Sequence, residues 1–315
     1  MFSPSFALMV LLYWGFLTGV VFLAGASFVR QFVTMPTGVD FCPVEGKKLC
    51  YGEASIRIVF FASVLTFVLN LLHLFFHASV MTETPLSETF SVFRIFLLKT
   101  AYGKLGILRT AFLVLLITAI SINMKQPARW KDLTSSILSL LLIISISLSS
   151  HQAMEGFNRP FVYLDMAHIA GISLWIGGLF FVRFCYSFFF LNEAGADISL
   201  FRKMIKRYSD IATWAVYTAG VTGIILLLFR VKSTTTILHT PYGIIMILKI
   251  LSATLILTLG GLNKFFLIPK LLTDNNKEIL AGTRRLLHRT ITIEAWTGLL
   301  VMLITAVLTH LSPEM

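Results

Sequence analysis

The sequence predicts an all-α, polytopic membrane protein of eight transmembrane helices, and three observations carry that prediction. Of its 315 residues 57% are apolar and only 13% are charged, with a mean hydropathy of +0.84, which excludes a soluble domain of ordinary composition. The apolar residues fall into eight runs, roughly 5–29, 56–82, 101–124, 133–153, 160–191, 208–230, 241–269 and 288–312. Each has at least about 20 residues, enough to cross a ~30 Å hydrocarbon layer at about 1.5 Å per residue. Finally, 18 of the 26 basic residues cluster after the first, third, fifth and seventh runs. The positive-inside rule then makes those loops cytoplasmic and places both termini outside. The net charge of +11 is explained by this orientation, so it does not point to nucleic acid, for which no soluble domain exists.

The first run lacks a basic n-region and is too long for a signal-peptide core, so it is expected to be retained as a span. The loop after it is only weakly basic and contains Cys42 and Cys50. On the cytoplasmic side these are free thiols; on the outer side they suit a disulfide, and the spacing leaves both open. The second run carries His73 and His77, which an i, i+4 spacing puts on one helix face near the outer end. Segment 84–99, with Pro85, Phe90, Phe93, Ile95 and Phe96, is too polar to span and reads as an external amphipathic helix on the lipid surface. The third run carries Arg109, and the fourth ends at His151, three residues before Met154. The fifth carries Asp165, Met166, His168 and Cys185, the seventh Lys249, and the eighth Glu294 and His310. The connectors 192–207 and 271–287 read as solvated basic loops beside anionic headgroups. Lys249 needs a buried partner, and Glu294 is the candidate.

An internal repeat organises these spans. Thr100-Ala-Tyr102-Gly103 before Arg109 recurs, 140 residues on, as Thr240-Pro-Tyr242-Gly243 before Lys249, and Phe28-Val-Arg30 is echoed by Phe181-Val-Arg183. Four crossings return the chain to its starting side, so residues 1–153 and 154–315 are expected to be two parallel four-helix halves.

The histidines carry the chemistry. Of the seven, all but His288 fall toward the outer side, and His73 and His168 lie at similar depth. Ionisable groups inside a bilayer are costly and default to functional candidates, and neutral imidazole is the commonest protein metal ligand. Met154 lies beside His151 and Met166 beside His168. Imidazole with thioether suits copper, Cu(I) above all but also Cu(II), better than magnesium or calcium. The predicted metal ligands are therefore His73, His77, His151 and His168, with Met154 and Met166. His151, His77 and Met154 would form an outer acceptor site, and His73 and His168 a deeper one. Paired histidines on facing spans also fit a b-type haem, which needs its two rings on opposite sides of a wide planar slot. No nucleotide-binding loop is present, so a gradient, the membrane potential or cytosolic trapping would drive any transport.

Ser150-His151-Gln-Ala153, Asp165-Met166-Ala-His168 and Leu174-Trp175-Ile-Gly177-Gly178-Leu179 occur in order, followed by Arg207-Tyr-Ser209 and Ala219-Gly220-Val-Thr222-Gly223. Thr240-Pro-Tyr242-Gly243, Gly261-Leu-Asn263, Glu294 and Leu308-Thr-His310 complete the series. Over about 145–313, and more loosely before it, the chain resembles the copper resistance D family of bacterial inner-membrane proteins. A Ser at 150 and a Tyr at 208 depart from the family's usual Gly and Phe. The resemblance implies a non-enzymatic copper transporter, usually an importer, in the inner membrane with a small periplasmic copper chaperone as partner, and it implies that His151 and His168 matter. A copper-delivery factor that does not itself transport is the competing class. No chaperone domain is expected on so short a pair of termini.

Overall fold

The computed structural model describes residues 4–37, 51–125, 128–149, 160–191, 198–230, 240–274 and 276–311. Cys42, Cys50, His151, Met154 and His239 lie outside these residues. Helix is the only regular structure among the described residues. Eight of the helices are long and apolar enough to cross a membrane: Phe6–Thr37, Gly52–Thr82, Ala101–Lys125, Arg129–Leu148, Pro160–Ser187, Ser199–Phe229, Pro241–Thr273 and Glu278–Thr309. Their outward faces are apolar, with Phe61, Leu65, Leu228, Phe265 and Phe266 among the large exposed side chains. Such a surface is stable only in hydrocarbon, where each helix keeps its backbone hydrogen bonds internal. The protein is a multi-pass membrane protein.

Segment 84–99 forms the short helix Leu86–Lys99. Thr89 and Phe96 are buried against the second and third spans, while Phe90 is exposed. The two basic connectors differ from expectation, because 198–207 and 277–287 are helical continuations of the sixth and eighth spans. The reason is periodicity. Phe201, Met204, Ile205 and Leu287 recur at helical spacing and are buried in the main core, which polar composition alone does not reveal.

The first span is the hub, packing on the second, fourth, fifth and eighth spans. Phe16, Val20 and Leu23 are fully buried at these contacts, while Leu8 and Leu11 stay exposed on its outward face. Its closest approach is to the fifth span, where Gly25 lies against the π-helical turn Ser173–Gly177. A Cβ on Gly25 or on Gly177 would overlap backbone atoms of the opposite helix, so only glycine fits there.

The first span packs on the second and fourth, the fifth on the sixth and eighth, while the first also reaches the eighth and the fifth reaches the fourth. Thr100 Oγ1 accepts from Gly103 N at 2.9 Å, and Thr240 Oγ1 accepts from Gly243 N at 3.1 Å. Arg30 at the end of the first span binds Asp132 of the fourth at 3.1 Å, and Arg183 at the end of the fifth binds Thr292 of the eighth at 2.8 Å.

Candidate metal site

His73 is fully buried, and neither of its ring nitrogens has a hydrogen-bond partner among the described residues. Aromatic rings enclose it. Tyr13 and Phe16 of the first span lie 5.1 and 6.3 Å away between ring centres, the latter stacked, and Tyr102 of the third lies at 6.3 Å. The i, i+4 spacing delivers its expected neighbour, with His77 at 5.7 Å between ring centres. His77 is itself stacked on Tyr102 at 4.2 Å.

His310, at the C-terminal end of the eighth span, completes the group at 6.4 Å from His73 and 5.2 Å from Tyr13. Its Nδ1 faces the Ala306 carbonyl at 2.8 Å, so Nδ1 carries the hydrogen and Nε2 the lone pair of the neutral ring. Sequence reasoning placed His310 at the right depth but did not group it with the ligands. The second and eighth spans meet here beside Tyr13 of the first, and no local motif records that.

Two imidazoles on opposite sides of one ion, each bonded at about 2 Å, have ring centres roughly 6 Å apart. The His73–His77 and His73–His310 separations of 5.7 and 6.4 Å match that span. Among the described residues no group of three or more His, Cys, Asp or Glu side chains is arranged to hold a metal ion. What the described residues bring together is pairs of imidazoles, not a closed cage.

Below the cluster lies Arg109, 1% exposed. Its guanidinium packs over Phe16 and Tyr102 at 5.1 and 6.0 Å. It donates to the Ser145 carbonyl at 3.2 Å, to Ser145 Oγ at 3.3 Å and to Ser149 Oγ at 2.8 Å. A backbone carbonyl and two serine hydroxyls thus hold this buried cation.

His168 stands elsewhere. On the fifth span it packs against Gly223 of the sixth, with Nδ1 2.9 Å from the Ala219 carbonyl and 3.2 Å from Thr222 Oγ1. The carbonyl fixes the hydrogen on Nδ1, again leaving the lone pair on Nε2. The ring contacts of His73 are with residues of the first, second, third and eighth spans, and His168 is not among them. Similar depth therefore did not bring these two together: each serves the hub-type interface of its own half. Aromatic rings, in place of an open planar slot, surround His73. Met166 is half-buried on the same helix as His168. His151 and Met154 are outside the described residues.

Lys249 and Glu294 are not at one level. Glu294 accepts from Asn263 Nδ2 at 3.1 Å, and Lys249 lies fourteen residues before Asn263, about 21 Å along the helix axis. The pairing expected from the sequence fails on depth.

Eight helical spans, four of them packed on the first, with imidazoles buried among aromatic rings where the first, second and eighth meet, define a multi-pass membrane protein. Residues 2–160 match the family described as Copper resistance protein D-like, N-terminal domain, and residues 202–308 match Copper resistance protein D. The chain belongs to the copper resistance protein D family. The likeness read from sequence over 145–313 thus extends through the first half. The chain is also 24% identical over 221 residues to the Copper transport protein CutJ of Bacillus subtilis (strain 168), covering 68% of this chain and 38% of that protein. It therefore spans well under half of that relative's length. No solved structure matches. The protein has a copper-related membrane function.

Proposed function

We propose that the protein moves copper across the bacterial cytoplasmic membrane, inward, by ligand exchange between imidazole sites at its periplasmic end. The observation that carries this is His73. A buried imidazole with two unpartnered nitrogens is costly unless something fills the gap, and an ion is one of the few things that does. His77 and His310 stand at metal-sharing separations from it, and His168 with Met166 would form a second station in the other half. His151 and Met154 remain candidates for the outermost acceptor. In this reading residues 1–153 and 154–315 are two repeated halves, both termini are periplasmic, and a soluble periplasmic copper chaperone delivers the ion. The family and the printed name of the relative support the copper assignment.

The test is uptake of Cu(I) into sealed vesicles containing purified protein, with bound metal measured alongside. Wild type should accumulate copper, His73→Ala should lose both binding and uptake, and His168→Ala should lose uptake while keeping copper bound at the His73 cluster. Copper binding without accumulation by wild type would favour a delivery factor. A Soret band in the purified protein would sink the copper reading of these histidines.

A further inference from the structure

We propose that Glu294 and the cavity in front of it form a proton-binding site, open toward the basic end of the bundle and separate from the histidine cluster. Glu294 is 2% exposed in the middle of a spanning helix. An ionisable group so placed marks a functional site by default. It is held by a relay: Glu294 Oε1 accepts from Asn263 Nδ2 at 3.1 Å, and Asn263 Oδ1 accepts from Thr290 Oγ1 at 2.6 Å. Asn263 opens the π-helical turn Asn263–Leu267 of the seventh span. Such turns redirect side chains out of the regular helical register and recur at functional sites.

The carboxyl faces a cavity of about 230 Å³ between the fifth, sixth, seventh and eighth spans. A water molecule's share of liquid volume is about 30 Å³, so the cavity has room for several. Trp175, Leu257 and Ile291 give it apolar walls, while Ser209, Asn263 and Glu294 supply its polar interior. Lys264 lines it toward the basic end and is paired at 2.7 Å with Asp210, both partly exposed.

The donor set decides which ion fits. Asn263 Oδ1 is taken by Thr290, one Glu294 oxygen by Asn263, and the Tyr208 hydroxyl donates to the Trp175 carbonyl at 2.6 Å. One carboxylate oxygen and the Ser209 and Thr213 hydroxyls remain among the lining side chains, whereas a hard metal cation needs about six oxygens. A soft copper ion would find no imidazole, thiolate or thioether among the lining residues. A proton needs one oxygen. A hydronium reaching the cavity gives it up: one of its O–H bonds breaks, an O–H bond forms on Oε2 and water is left, and the reverse transfer to water releases the proton by the same route.

The titratable and charged groups nearby do not supply a counter-ion. Tyr208 and Asp210 come from the sixth span and Lys264 from the seventh, with Lys264 and Asp210 engaged with each other. Arg183 of the fifth span reaches the eighth through Thr292, and the first span meets it through Trp14, whose indole donates to the Leu299 carbonyl at 3.1 Å, and Tyr13. His310 lies sixteen residues further along the same helix, about 24 Å away.

Infrared spectra of the copper-free full chain in lipid, titrated across pH, test the site without reference to metal handling. Wild type should show a protonated-carboxyl band that forms and vanishes reversibly. Glu294→Gln should lose that band, and Asn263→Ala, which removes the donor to the carboxylate, should keep it with a displaced midpoint. The same band change in Glu294→Gln as in wild type overturns the proposal, as does displacement of the wild-type band by sodium but not by choline. Should Glu294→Gln fail to melt cooperatively, an unmoved midpoint in Asn263→Ala overturns it instead.

Discussion

Removing the Asp132 carboxylate is the sharpest test of how the first half is held together. Arg30 Nε and Asp132 Oδ1 are 3.1 Å apart, with side chains only 7% and 5% exposed. Arg30 Nη1 also donates to the Gly52 carbonyl at 3.3 Å and contacts Ser55, so one guanidinium ties the first, second and fourth spans. Two unit charges about 4 Å apart attract by about 4 kcal/mol at an effective dielectric of about 20. Breaking a buried pair costs about 3–5 kcal/mol by independent reckoning. Asp132→Ala leaves a guanidinium that cannot shed its charge, with two neutral acceptors. Arg30→Met leaves a carboxyl that can take up a proton, so it should cost less. Replacing both, as Arg30→Met with Asp132→Leu, should return close to wild type, since a well-packed apolar pair often equals a buried ionic one. Tryptophan fluorescence melting in detergent reads the result. By the scaling of domains of 150–250 residues, Asp132→Ala should fall on the order of 10 °C, with the double variant recovering most of it. A double variant no better than Asp132→Ala, or an Asp132→Ala that melts like wild type, would refute the reasoning.

Two further predictions concern packing and capping. Gly177→Ala puts a methyl group into the backbone of the first span at Val21, so the hub and the fifth span must separate, at about 1–3 kcal/mol or more; an unchanged melting temperature would contradict the close approach. Thr100→Ala and Thr240→Ala each delete the side chain capping its helix, at about 1 kcal/mol apiece, and the two should melt alike if the halves are built on one plan.

Length and apolarity made the spans legible, because no alternative satisfies the backbone in hydrocarbon. Thr100 and Thr240 were legible as helix starts, each hydroxyl accepting from the glycine three residues on. Polar composition misled at 198–207 and 277–287: one apolar face in three or four residues suffices to keep a helix going. At the candidate site, His73 and His77 were readable because i, i+4 is a local geometry. His310 was not grouped with them, nor was His168 separated from them, because depth along a helix says nothing about which neighbour that helix faces.

The sequence by itself determined that this chain crosses a membrane eight times, which end is basic, and which side chains are too costly to be incidental there. Those properties follow from transfer energies and helical rise, which act residue by residue. Only the tertiary structure decided that the first span is the hub, that His310 joins His73, that Arg109 rests on serines and a carbonyl, and that Glu294 looks into a cavity with Asn263 instead of toward Lys249. Packing chooses among rotations and neighbours that hydrophobicity leaves equivalent, and the glycine contact of Gly25 with the fifth span sets that choice here.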